Sequence, residues 1–155
     1  MNGEWVRRPT HGTTVVFVHG ILSSGDTCWR HANGACWPTI LADEEFLKFV
    51  GVYVFTYQTT LFGGTYRLGD AVDALKEQTR LDGVLDSRQI IFVCHSMGGI
   101  VVRNFLVERP TDFINSNQAL GLFLVASPSL GSSYADWLSP LPRPWSTPRQ
   151  AHFSS

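Results

Sequence analysis

The sequence contains no long apolar run. No stretch approaches the roughly 20 apolar residues that span a bilayer, and Met1 to Thr10 carries charges and Pro9 where a secretory leader would need an apolar core. A cytoplasmic chain without a transmembrane segment is therefore expected. An excess of either charge is also missing, with 12 Lys and Arg against 13 Asp and Glu. Nothing supplies the basic stripe that nucleic acid or an anionic lipid surface would need, so the expected substrate is small or uncharged. Cysteine is scarce and odd in number. Cys28, Cys36 and Cys94 lack CxxC spacing, which argues against a disulfide framework and against a zinc site. Reduced thiols are the simpler expectation, with a Cys28 to Cys36 bridge across one loop left open. No internal repeat is found, which excludes a solenoid. The stretches Ser23-Ser24-Gly25, Gly63-Gly64 and Gly131-Ser132-Ser133 lack the lysine and spacing of a phosphate-binding loop and read as turns. No cofactor or metal is expected.

What is present suits one compact domain: 155 residues, 44% hydrophobic and 16% charged. Thr13 to His19 is a nearly unbroken β-branched and aromatic run, with Val15, Val16, Phe17 and Val18 at its centre, as expected of a strand buried on both faces. Ile21 to Trp37 loses all periodicity and reads as a long loop. Pro38 suits a first helical turn, and Ile40, Leu41, Phe46 and Leu47 recur near helical spacing up to Gly51. A strand over Val52 to Tyr57, a glycine-bearing loop and a helix with Leu68, Val72 and Leu75 on one face follow. Gln89 to Cys94 reads as another buried strand. Ile100, Val101, Phe105 and Leu106 line a helix that begins near Met97 and closes at Pro110, and Ala119 to Ala126 reads as a further strand. Strands alternating with helices predict a three-layer α/β/α sandwich with a mostly parallel sheet. Residues 1–12 form an N-terminal extension and 13–138 the domain. Residues 139–155 form a proline-rich tail for which disorder is expected, and whose composition also suits an out-of-frame end.

Chemistry concentrates at Phe92-Val93-Cys94-His95-Ser96-Met97-Gly98-Gly99, where a serine lies between a buried strand and a helix, bounded by small residues. Such a turn strains the serine backbone and lifts its hydroxyl above the carboxyl edge of the sheet, which is the geometry of a nucleophile elbow. Unpaired N–H groups at the helix start carry partial positive charge where an oxyanion would develop, so Met97 N–H is one expected donor. Val16-Phe17-Val18-His19-Gly20-Ile21 ends the first strong strand, and Ile21 N–H is the second. Cys94 replaces the first glycine of G-x-S-x-G and is expected to pack, with no role as a nucleophile.

These two segments resemble the α/β-hydrolase superfamily, especially small lipases and esterases. More closely, Thr27-Cys28-Trp29, Cys36-Trp37-Pro38, the strand ending at Tyr57, F-V-C-H-S-M-G-G-I-V-V-R and Ser127-Pro128-Ser129-Leu130-Gly131-Ser132 resemble the serine-active-site-containing, SERAC-like esterases. The likeness runs from about Thr13 to Leu138. It implies hydrolysis of carboxylic esters or lipids, and a role in lipid metabolism, through an acyl-enzyme at Ser96. Ser129 stands where that family more often has a histidine.

A serine needs a histidine to take its proton and an acid to orient that histidine. In this fold both follow the serine in the chain, and the sequence offers only Asp136, in a D-W-L setting, and His152 near the end as candidates. The chain thus reads as truncated after the strand that follows the nucleophile helix. His95 and His19 are expected to be structural or to line the site, and His11 and His31 have no supporting motif. Trp29 and Trp37 are expected to anchor the loop, with substrate contact open. The alternative is a catalytically incomplete fragment or non-catalytic binding module, with a second chain completing the sheet.

Overall fold

The computed structural model describes residues 2–20, 27–57, 68–108 and 117–127. Its elements are β1 (Asn2–Arg7), β2 (Thr13–Val18), α1 (Trp37–Asp43), β3 (Gly51–Thr56), α2 (Leu68–Leu81), β4 (Gln89–His95), α3 (Gly98–Glu108) and β5 (Ala119–Val125), with short 3-10 turns at Thr27–Trp29, Glu45–Leu47 and Val84–Asp86. The five strands form one sheet in the order β1-β3-β2-β4-β5. β2, β3, β4 and β5 run parallel, and β1 pairs with β3 antiparallel.

β2 sits centrally because its β-branched and aromatic run can be buried on both sides, and every residue from Thr14 to Val18 is buried. On one face Val16, Val18, Tyr53, Phe55, Ile90 and Phe92 pack with Val72 and Leu75 of α2 and with Val101, Val102 and Phe105 of α3. On the other, Val15, Phe17, Val52 and Val54 meet Trp29, Cys36 and the half-buried Leu41 of α1. The expected sandwich, with helices on both faces, is the observed one.

Four details differ from the reading of the sequence. The N-terminal extension contributes β1, held in place by the Trp5 ring, which meets Tyr53 edge-on at 5.1 Å and donates from Nε1 to Asp82 O at 3.1 Å. The Arg7 guanidinium also bonds the carbonyls of Val50, Ala42 and Leu47. Secondly, the helix begun at Trp37 stops at Asp43, Glu44 is extended (φ −70, ψ 116), and Phe46 is 86% exposed. Asp43, Glu44 and Glu45 place three negative charges where the helix dipole is already negative, which disfavours continuation. Thirdly, β4 is buried on its α2/α3 face only, leaving Ile91 38% exposed. Fourthly, the 21–37 loop holds the 3-10 turn at Thr27–Trp29 and a bridge between Arg30 and Cys36. None of Cys28, Cys36 and Cys94 forms a disulfide. Among the described residues no helix is long and apolar enough to cross a membrane. The proline-rich tail lies outside the described residues.

Candidate active site

Ser96 follows the end of β4, and α3 begins two residues later. Its φ of 53 lies in the left-handed region, which costs a residue bearing a side chain about 1–2 kcal/mol. The surroundings hold it there. Ser96 N–H donates to Val125 O at 2.9 Å, and its C=O accepts from Gly99 N–H at 3.2 Å and from Ser127 Oγ at 2.7 Å. These backbone bonds leave the hydroxyl unbonded by any described residue.

Glycines make the crowding possible. A Cβ at Gly98 would lie 2.6 Å from His19 O and closer still to Val18 O, so α3 rests directly on the end of β2. A Cβ at Gly20 would lie 2.6 Å from Ser96 Cβ and 2.9 Å from Ser96 Oγ, so the strand end that precedes the expected oxyanion loop touches the serine itself. Cys94 is fully buried in the core, and burial pushes its thiol pKa up to about 12 against the opposing charge of Arg103. It remains a protonated packing group, as expected.

Met97 follows Ser96 directly, with its side chain packed on the α2/α3 core. Its N–H lies at the start of α3, where helix N–H groups lack intrahelical acceptors. Ile21, Ser129, Asp136 and His152 lie outside the described residues.

His19 is fully buried, and both ring nitrogens are engaged. Nε2 accepts from Tyr57 N–H at 3.0 Å, so the ring proton is on Nδ1, which donates to Gly20 O at 2.8 Å. The Tyr57 hydroxyl donates to His19 O at 2.9 Å, and the two rings stack at 4.5 Å. Burial holds the His19 pKa below the usual histidine value, outweighing its two backbone hydrogen bonds, so the ring stays neutral. His19 therefore ties the end of β2 to the end of β3 and is not available as a base. This latch is not visible in sequence, because the partner atoms are backbone atoms, one of them 38 residues away.

The remaining aromatic and histidine groups sort simply. Trp29 is buried against Phe17 at 5.1 Å and anchors its loop as expected, whereas Trp37 is 48% exposed and stacks on Trp29 at 6.1 Å. His95 meets Trp29 edge-on at 6.1 Å, and its Nδ1 and Trp29 Nε1 are buried without hydrogen-bond partners among the described residues. His11 and His31 are exposed. An open apolar recess of about 350 Å³ lies on the α1 face between Phe17, Trp37, Ile40, Val93 and Phe123. Ser96 is not part of its wall, so this recess is separate from the nucleophile turn. Among the described residues no cluster of three His, Cys, Asp or Glu could hold a metal ion.

A mostly parallel sheet carrying a strained, glycine-flanked serine between strand and helix defines a class, and the sequence agrees with it. The alpha/beta hydrolase family profile matches residues 15–154, and the chain belongs to that family. Among its relatives is Protein SERAC1 of Bos taurus, 25% identical over 170 residues, a match that covers 88% of this chain and 25% of the relative. Protein SERAC1 of Homo sapiens is 26% identical with the same coverage. The chain thus spans about a quarter of the length of these relatives. In fold it is similar to the Bacillus licheniformis lipase BlEst2, with a TM-score of 0.58 and 18% identity, covering 90% of this chain and 52% of the lipase. It is also similar to a carboxylesterase structure from Nitrososphaera gargenis, with a TM-score of 0.54 and 14% identity, covering 87% and 44%.

Proposed function

We propose that the chain is the nucleophile-bearing part of a serine hydrolase acting on carboxylic esters or lipids through an acyl-enzyme at Ser96. The observation that carries this reading is Ser96 itself. A buried serine backbone held in the left-handed region, with its hydroxyl unbonded by any described residue, is strain retained where a nucleophile would need it. Met97 N–H and Ile21 N–H are the assigned oxyanion donors. A lipase and a carboxylesterase among the fold neighbours support the ester or lipid class. His19 is latched and supplies no base, and this reading gives that role to a histidine outside the described residues. Asp136 and His152 are the acid and base to test first. The experiment is hydrolysis of p-nitrophenyl butyrate beside Ser96→Ala under identical conditions. A rate that falls with the substitution, by several orders of magnitude if the histidine is in place, supports the reading. Equal rates for the two proteins refute it.

A second reading, a catalytically incomplete half-fold or binding module completed by another chain, is favoured by β5. Among the described residues β5 is the edge of the sheet, it has no charged residue, and Leu120, Leu122, Phe123 and Leu124 are 39%, 40%, 56% and 42% exposed. Natural edges are usually protected by charge, proline or a bulge, and an edge lacking all three invites a further strand. Equal, near-background rates for wild type and Ser96→Ala support this reading instead.

A further inference from the structure

Two residues at the end of β5 grip the serine turn from behind. Val125 O accepts the Ser96 N–H, and the Ser127 hydroxyl donates to the Ser96 C=O at 2.7 Å. Ser127 is only half-exposed, and its side chain fills the space that a Cβ on Gly99 would occupy. The preceding residue, Ala126, takes a φ of 48, so the chain turns sharply to present this hydroxyl. The carbonyl of Ser96 and the N–H of Met97 belong to one planar trans peptide, in which C=O and N–H point in opposite directions. Whatever fixes the carbonyl therefore fixes the direction of the N–H. A hydrogen bond to the carbonyl also polarises the peptide and strengthens its N–H as a donor.

We propose that Ser127 is a positioning residue for the oxyanion site: by holding the Ser96 carbonyl, its hydroxyl aims the Met97 N–H at the developing oxyanion. The inference rests on the hydrolase reading above and adds a residue to it. Losing an oxyanion donor outright costs about 10²- to 10³-fold in kcat, and loosening its aim should cost less, because Gly99 N–H still holds the same carbonyl. On that basis Ser127→Ala is expected to lower kcat for p-nitrophenyl butyrate by roughly tenfold, with KM within about twofold. Ser127→Thr restores the hydroxyl and should return kcat to near wild type.

Steady-state kinetics on the full chain, paired with amide hydrogen exchange over residues 95–101, tests the proposal. A kcat loss in Ser127→Ala, rescue in Ser127→Thr and faster exchange in the alanine variant alone support it. Unchanged kcat in Ser127→Ala, with wild-type turnover abolished by Ser96→Ala, overturns it, as does a threonine variant as impaired as the alanine one. If wild type shows no Ser96-dependent turnover, the hydrolase reading fails first. Exchange then decides the clamp alone: acceleration in Ser127→Ala reversed in Ser127→Thr supports it, and no acceleration overturns it. Should Ser127→Ala not fold, Ser127→Cys keeps the volume with a weaker donor, and the same loss is expected.

Discussion

Adding one methyl group at Gly98 tests whether α3 rests on β2 as closely as the structure requires. The new Cβ would lie 2.6 Å from His19 O and nearer to Val18 O, whereas ordinary carbon–oxygen contacts begin at about 3.3 Å. The mismatch of about 0.7 Å has no easy relief. Both oxygens are backbone atoms at the end of the central strand, which is pinned on either side by β3 and β4. Overpacking of this kind costs about 1–3 kcal/mol, and rigid backbone neighbours place it near the upper end. Alanine's better helix propensity returns at most about 1 kcal/mol. The expected net loss is about 2 kcal/mol, or roughly 4–8 °C in melting temperature for a chain of this size. Urea titration followed by circular dichroism would measure it, with an unchanged m-value showing that the unfolded state is unaffected. Gly69→Ala is the control, since nothing lies within 4 Å of a Cβ there, and it should be neutral or slightly stabilising. A Gly98→Ala protein at least as stable as wild type would refute the close helix–strand contact and the turn geometry built on it.

Two further outcomes follow from the same geometry. Ser96→Gly relieves about 1–2 kcal/mol of left-handed strain and gives back roughly 0.5–1 kcal/mol in unfolded-chain entropy. The net gain is about 0–1.5 kcal/mol, so its melting temperature should hold or rise by up to about 6 °C while any Ser96-dependent activity is lost, and a less stable glycine variant would show that the turn is unstrained. The buried neutral His19 predicts a dependence on pH. Its pKa is below 6.5 in the folded chain and near 6.5 when unfolded, so between these values the unfolded chain binds the extra proton. Stability is then complete above pH 6.5 and falls as pH drops through the window below it, by at most about 1.4 kcal/mol per pH unit for one proton. Urea midpoints that do not change between pH 7.5 and 5.5 would contradict the latch.

The central strands were legible because burial on both faces leaves an unmistakable run, as in Val15 to Val18. β1 was not, because a half-exposed edge strand carrying Glu4 and Arg7 has no such run and is held by tertiary contacts of Trp5 and Arg7. The end of α1 was missed because Phe46 and Leu47 keep the helical spacing while the acids before them break the helix. The serine turn was legible, since a left-handed serine and a helix seated on a strand demand small residues at known offsets. Its supports were not: Ser127 and His19 act on the backbone carbonyls of Ser96 and Gly20, and such partners leave no pattern in side-chain sequence.

The most direct test of the account is to trap the acyl-enzyme. The purified chain would be quenched with acid during reaction with p-nitrophenyl butyrate and mapped by peptide mass spectrometry. The account predicts a butyryl group on Ser96, absent from the Ser96→Ala protein. A chain that turns over the ester with no adduct at Ser96, or with the adduct on another residue, would contradict it.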